Sequence, residues 1–439
     1  MTNTRGTRGP SRRALLGAAA SVPALWLSRG VAGAAPARAS AGRRAWPGER
    51  FQLGVIGCGI RAKNLLRGHF LKSDRFKVVA VCETLPERLA GYKALVDAAY
   101  GGDVCAATTD YHEVLGRDDI DGVLIATPDH WHALQAIEAC RAKKHVYCEK
   151  PLTRTLDEAR RVASEAQRAG IVFQTGSQQR TEYGHRFIDA VERVRAGRIG
   201  RVLTAHVGVG DPNVPCDLPA ESCSLEEARA FDRWLGPAPA RVFSETLMPR
   251  GMHSHYPAWR RYNEYAGGGL ADMGAHHFDI VQWALGMDGS GPVRVEPPQD
   301  RAARRGASLV YADGARVVHG GPSGVTFIGT EGVLHVDRDR GAATPEGLLK
   351  DPLPDDVPRL PRPQNHAIDW LDAIERGGGN ACPAEVGART AAVCHLLNLA
   401  YRHGRALAWD PAAWSFVGDD EANGWRSEAA RDGYELPAE

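Results

Sequence analysis

At 439 residues, 43% of them hydrophobic, the chain is long enough for two domains that each bury a core of ordinary size. Its 54 basic and 53 acidic side chains give a formal charge of +1, without the basic surplus by which proteins hold nucleic acid. Nine cysteines, odd in number and scattered, with Cys58, Cys82, Cys140 and Cys148 inside apolar runs or helices, argue against a disulfide framework.

No Asp or Glu precedes Glu49, while Arg5, Arg8, Arg12 and Arg13 come before the apolar run Ala14 to Leu27. Ser11-Arg12-Arg13-Ala14-Leu15-Leu16 matches a twin-arginine signal, read by an export machinery for folded proteins, and Ala32-Gly33-Ala34 supplies a small-residue cleavage site. The run is shorter than the roughly 20 apolar residues a membrane helix needs. The expectation is a chain that is exported to the periplasm or beyond and is not membrane-integral, with residues 1–34 as signal peptide and 35–50 as linker. A disordered basic tail is the alternative. Removing residues 1–34 takes five of the basic side chains and none of the acidic ones, turning the charge to −4. Folding in the cytoplasm before export would account for unpaired cysteines and let a cofactor be loaded first.

Phe51 to Ile56 reads as a strand, Gly57-Cys58-Gly59-Ile60-Arg61-Ala62 as a glycine turn, and the stretch through Phe70 as a helix. The spacing G-x-G-x-x-A lets backbone turn tightly and approach a pyrophosphate. A second strand, Val78 to Cys82, ends in Glu83, whose carboxylate would accept hydrogen bonds from ribose hydroxyls and repel a 2′-phosphate, favouring NAD over NADP. Gly122 to Ala126 is a further strand, His132 to Ala142 a helix, and His145 to Cys148 a strand that runs into Glu149-Lys150-Pro151. Repeated β-α-β units predict a doubly wound parallel sheet over residues 51–173.

Residues 174–439 would form the second domain. Gln174-Thr175-Gly176-Ser177-Gln178-Gln179-Arg180 offers amides and a guanidinium, with Gln178 reaching the cofactor and Arg180 the substrate, or else a polar loop between domains. A helix from Tyr183 to Ala196 and a strand from Arg201 to Val209 follow. Met252 to Tyr265 concentrates His253, His255, Tyr256, Trp259 and Arg260, side chains suited to gripping a sugar ring. His253 and His255 with His276 or His277 could instead bind metal or merely pack, and no tight ligand spacing supports a metal.

Gly267-Gly268-Gly269 then opens a helix on which Asp272 and His276, four apart, share a face, an acid and a base placed for proton transfer. The glycines would let backbone approach a ligand. His276 is the candidate general base, since imidazole titrates near neutral pH. His277 points about 100° away, towards a supporting or core position, and Asp279 is a cap or a partner of the site. Residues 293–337 hold short strands with turns, 341–363 a surface loop, and two helices run from Asn365 to Glu375 and Glu385 to His403. His366 reads as a capping residue or a lining of the cleft.

Gly57-Cys58-Gly59, Ala126-Thr127-Pro128-Asp129-His130-Trp131-His132, Glu149-Lys150-Pro151 and Asp272-x-x-x-His276 together resemble the glucose–fructose oxidoreductase, inositol dehydrogenase and rhizopine-catabolism (Gfo/Idh/MocA) family, over nearly all of residues 51–423. The resemblance implies a Rossmann domain followed by an α+β domain with an open, mostly antiparallel sheet that serves substrate binding and pairing into dimers or tetramers. It implies NAD contacts from Gly57, Gly59, Ile60, Arg61, Glu83, Thr127, Pro128, His132, Glu149 and Gln178. It makes Lys150 a residue that meets both cofactor and reacting hydroxyl, with Asp272 and His276 completing the catalytic set and Arg180, His255 and Trp259 on the substrate. The tail from Trp409-Asp410-Pro411 to Asn423 resembles the exported sugar-oxidoreductase subgroup. The implied activity is hydride transfer between a carbohydrate or cyclitol carbon and NAD, including oxidation at glycoside C3. Its rivals are an NAD-dependent glycosidase acting by transient C3 oxidation and a non-catalytic sugar or nucleotide sensor.

Overall fold

Apolar runs of the first half of the chain assemble into one sheet. In the computed structural model, which describes residues 50–439, β1 (Phe51–Ile56), β2 (Phe76–Cys82), β3 (Ala106–Thr108), β4 (Gly122–Ile125), β5 (His145–Cys148) and β6 (Phe173–Thr175) lie in the order β3-β2-β1-β4-β5-β6. All its pairings are parallel. β1 and β4 are almost wholly buried, as strands covered by helices on both faces require. The expected signal peptide, and the linker save its last residue, fall outside the described residues.

The order reverses between β1 and β4, which opens a crevice at the carboxyl ends of the strands. Gly57, Glu83 and Thr127 sit just past β1, β2 and β4, and Glu149-Lys150 follows β5. The three family motifs of the first domain, and Glu83, therefore surface along one edge. The sheet runs on to Thr175, and the helix His366–Arg376 returns to pack on it, with Trp370 5.2 Å from Phe51 in the same core as Ala367 and Leu371.

The second sheet is antiparallel throughout. It comprises β7 (Val202–Gly208), β8 (Arg294–Glu296), β9 (Ser308–Val310), β10 (Arg316–Gly329), β11 (Val333–Val336), β12 (Gly341–Thr344), β13 (Leu407–Asp410) and β14 (Ser415–Phe416). Its order is β12-β11-β10-β9-β8-β13-β14, with β7 along β10. The helix Gly268–Ala284 is buried along most of its length between this sheet and the helix Ala384–His403. Its glycines serve that packing. Gly268 adopts φ +74°, and a Cβ there would stand 2.4 Å from the Asn213 nitrogen, while Gly269 abuts Gly210. The expected close approach is thus to the Gly210–Asn213 backbone, not to a ligand, and it fixes where Asp272 and His276 emerge.

Among the described residues no helix is long and apolar enough to cross a membrane. All nine cysteines are free, most of them buried.

Candidate active site

The crevice at the sheet edge holds a cavity of about 320 Å³ lined by Gly57, Gly59, Ile60, Arg61, Glu83, Thr127 and Pro128. Gly57 has φ +88°, and a Cβ on it would lie 2.6 Å from the Thr127 nitrogen, so only glycine lets the β1 turn pass so close to the end of β4. A Cβ on Gly59 would meet no protein atom within 4 Å. That open cradle beside a helix start fits the pyrophosphate of a dinucleotide. Glu83 faces the cavity but also braces its floor. Its carboxylate accepts the Cys58 N–H at 3.0 Å and the Leu85 N–H at 3.1 Å, and Arg88 stands 3.7 Å away.

The cavity is roofed from the second domain. Leu247, Met248, Pro249, His253, Pro257 and Trp259 cover it, and Tyr434 of the C-terminal tail closes one side by packing edge-on to Trp131 at 5.6 Å. Arg88 pins the roof by donating to the carbonyls of Pro249 and of Gly251, the latter at 3.1 Å. Asn64 reaches Tyr256 at 3.3 Å.

Three side chains expected on the cofactor hold loops instead. The buried His132 ring lies between the Pro151 carbonyl at 2.8 Å and the Thr127 carbonyl at 2.9 Å, tying the two motif turns together. Burial lowers its pKa despite those carbonyls, so the ring is neutral and donates to one of them at a time. Glu149 is 3% exposed and accepts from Arg61 at 2.9 Å, from Gln178 at 2.8 Å and from the Lys150 N–H at 3.3 Å. Gln178 also donates to the Tyr147 hydroxyl at 2.9 Å. Glu149 and Gln178 therefore anchor Lys150 from behind, and neither lines the cavity.

Lys150, Asp272 and His276 come together beyond the Arg61 and Arg260 end of the cavity. The Lys150 Nζ donates to the Asp272 carboxylate and to its carbonyl, both at 2.7 Å. Arg260 Nε is 3.7 Å from the same carboxylate. Burial disfavours the Asp272 anion, but Lys150 and Arg260 outweigh it and hold the pKa below the ordinary value. His276 is 4% exposed, and its Nδ1 has no hydrogen-bond partner among the described residues. Burial, reinforced by Lys150 and Arg338, drives its pKa well below 6.5. It is a neutral imidazole with proton-accepting capacity in reserve, one helical turn from an ion pair.

Two residues expected on the substrate, Arg180 and His255, do not line the cavity. Arg180 is 2% exposed and spends its guanidinium on Asp279 at 2.8 Å and 2.8 Å, on Asp288 at 2.7 Å and on the Ala381 carbonyl at 3.3 Å. It is a strut under the helix Gly268–Ala284, and Asp279 is its partner. His255 is exposed, and its carbonyl accepts from His253 Nδ1 at 2.9 Å, so His253 is the imidazole at the cavity. Trp259 does line the cavity, with Arg260 stacked 4.2 Å over its ring. His277 packs near Phe187 in the core, and His366 bonds Thr181 and the Thr175 carbonyl. No group of three or more His, Cys, Asp or Glu among the described residues is placed to hold a metal ion.

Sequence reading passed over Asp129 and Arg338. Asp129 opens the helix Asp129–Arg141 and is 4% exposed; burial, with the Asp272 charge, raises its pKa to about 8 against Arg260 and Lys150. In sequence it lies within the Ala126–His132 motif, where Thr127-Pro128-Asp129 has the composition of an ordinary turn. Arg338 sits on the turn between β11 and β12, where nothing local marks it, and reaches the site through Gln179: its Nε donates to the Gln179 amide oxygen at 3.1 Å, and that amide donates to the His276 carbonyl at 3.3 Å.

Comparison with known proteins agrees with this fold. Residues 51–177 match the family model described as an oxidoreductase family NAD-binding Rossmann fold, and residues 218–436 match the C-terminal alpha/beta domain of the same oxidoreductase family. A 1,5-anhydro-D-fructose reductase of Ensifer adhaerens is 28% identical over 243 residues, 55% of this chain and 59% of the relative. A glycosyl hydrolase family 109 protein of Shewanella pealeana is 32% identical over 159 residues, 35% of this chain and 33% of that protein. The chain thus aligns with less than two thirds of the length of either. The structure of the WlbA dehydrogenase from Bordetella pertussis, in complex with NADH and UDP-GlcNAcA, superposes with a TM-score of 0.56 at 21% identity, over 82% of this chain and 99% of that one, a likeness of fold.

Proposed function

This chain belongs to the Gfo/Idh/MocA oxidoreductase family, and from that premise we propose that it is an NAD-dependent oxidoreductase that moves hydride between a hydroxyl-bearing carbon of a carbohydrate or cyclitol and a tightly held cofactor. The observation that carries this reading is the Lys150–Asp272 pair at 2.7 Å beside a buried, neutral His276, next to a cavity opened by Gly57 and Gly59. A nicotinamide bound in that cavity would supply the hydride acceptor. Lys150, fixed by Asp272 in front and Glu149 behind, presents an ammonium that stabilises negative charge on the substrate oxygen as its proton leaves. His276 takes that proton, and its depressed pKa keeps it ready to do so at neutral pH. Asp272 orients the ammonium.

Glu83 supports NAD over NADP, because Arg88, the nearest arginine after it, is committed to Pro249 and Gly251 and is not free for a 2′-phosphate. The roof over the cavity supports retention of the cofactor through many turnovers, which suits a protein exported with its cofactor and recycled by a second sugar. Oxidation at glycoside C3 is the form of the reaction we favour, in a homo-oligomer outside the cytoplasm.

The test is to denature the purified protein and identify the released dinucleotide, then to give the holoprotein a panel of glycosides and inositols while following bound reduced nicotinamide and products together. Net oxidised product supports the reading. Glycoside cleavage with solvent exchange at C2 and no net redox change would replace it with the elimination route, and an empty protein with no turnover would end it.

A further inference from the structure

We propose that the sugar taken by this site carries an oxyanion, a carboxylate or a phosphate, held by the guanidinium groups of Arg260 and Arg338. The inference rests on the oxidoreductase reading above and adds the substrate class. Four cations converge on the Asp272–His276 face: Arg61, Lys150, Arg260 and Arg338. Arg61 is matched by Glu149 at 2.9 Å and Lys150 by Asp272 at 2.7 Å. Arg260 has only a share of that same Asp272, at 3.7 Å, and a 3.5 Å contact to the Pro257 carbonyl. Arg338 spends its Nε on a neutral amide, and its two terminal nitrogens have no side-chain carboxylate partner among the described residues.

The remaining acids nearby do not cancel this surplus. Asp337 accepts from the N–H groups of Asp339 at 2.8 Å and Arg340 at 2.7 Å and lies 3.3 Å from His335. Glu182 faces His69 at 3.5 Å. Burial and the Asp272 charge raise the pKa of Asp129 to about 8, which favours its neutral form. After burial, Lys150 and Arg338 are the strongest influences on His276, and both disfavour its cation.

Both guanidinium planes are set by stacking, Arg260 4.2 Å over Trp259 and Arg338 4.8 Å over Tyr183. Each is half-buried, which keeps it accessible while reducing the cost of ordering it. Such pre-set forks match the paired oxygens of a carboxylate or phosphate and have no comparable partner in a neutral hydroxyl. A neutral sugar would leave the local charge uncompensated in a site partly shielded from water.

The experiment titrates NAD-loaded full-length protein by calorimetry with matched sugars in gluco, galacto and manno forms: the methyl glycoside, the methyl uronide and the hexose 6-phosphate. Reduction of the bound cofactor is followed in parallel. At least one anionic sugar should bind about 10-fold or more tightly than its neutral counterpart, a margin that narrows as salt is raised. Arg260→Gln and Arg338→Gln should each remove most of that preference, with Arg338→Lys keeping part of it and melting temperatures confirming that the variants fold. Which of uronide and phosphate wins identifies the oxyanion. A neutral sugar that binds as tightly as both anions and reduces the cofactor overturns the inference and leaves the oxidoreductase reading standing. Arginine-dependent binding of an anion, with no sugar reducing the cofactor, overturns that reading and leaves the anion site. Binding of none of them overturns both.

Discussion

At the scale of single residues the site divides into groups that face the reaction and groups that hold them. Asp129 belongs near both. Its carboxyl is raised to about 8 from 3.8, by burial and the Asp272 charge, so the native state keeps a proton that the unfolded chain releases. The native state binds more protons between those values, and the stability this group contributes is present below about 4 and falls as pH rises towards 8. Asp129→Asn should remove that decline and gain on the wild type by up to about 4 kcal/mol between pH 5 and pH 8, measured by urea unfolding. A gap that does not change with pH would mean Asp129 is ionised throughout. That Lys150, Asp272 and His276 gather at one place was legible in the sequence because they lie in short motifs with a chemical logic. Arg338 was not, since a turn between two strands gives no sign of which distant helix it will face.

At the scale of elements, the glycine run at the start of the helix Gly268–Ala284 and the roof over the cavity set the geometry. Gly268→Ala would place a Cβ 2.4 Å from the Asn213 nitrogen on a backbone at φ +74°. It should cost about 1–3 kcal/mol in denaturant unfolding and lower turnover by shifting Asp272 and His276. Unchanged stability would show that the segment at Asn213 yields freely. The sequence correctly marked this as glycine-dependent but assigned the need to a ligand, because only the fold reveals that Gly210–Asn213 lies against it. Arg88→Ala removes the charged donors to Pro249 and Gly251, and bound dinucleotide should then dissociate about 10-fold faster, by the loss of one or two charge-assisted hydrogen bonds. A dissociation rate equal to wild type would mean the roof is held by apolar packing alone. Strands β1, β2, β4 and β5 were readable from their apolar runs, whereas the helix His366–Arg376 gave no hint that it would close the first domain's core.

At the scale of the whole molecule, buried imidazoles set the response to acid. His130, His132, His276, His277, His319, His366 and His395 are all buried, and burial lowers every one of their pKa values. Below 6.5 the unfolded chain takes up protons that the native state refuses, so stability present above 6.5 is lost as pH falls, by about 1 kcal/mol per histidine for each unit. The protein should be most stable near or above neutrality and unfold cooperatively in mild acid; thermal melting between pH 7 and pH 5 checks this, and a melting temperature that holds steady would contradict it. The parallel sheet was legible from period and motif order, and the second domain with its antiparallel sheet from the family resemblance. The strapping of the first domain by Tyr434 and by segment 247–260 was not, because contacts so distant in sequence leave no local pattern.

The most direct test of the site's role compares wild type with Lys150→Ala and His276→Ala, each loaded with NAD, in one turnover of whichever sugar or cyclitol the wild type oxidises, read by the absorbance of reduced nicotinamide. Loss of the charge stabiliser or of the proton acceptor should slow that turnover by about 10²–10⁴-fold while leaving the cofactor bound. Turnover at the wild-type rate in both variants would contradict the assignment of chemistry to this face of the helix.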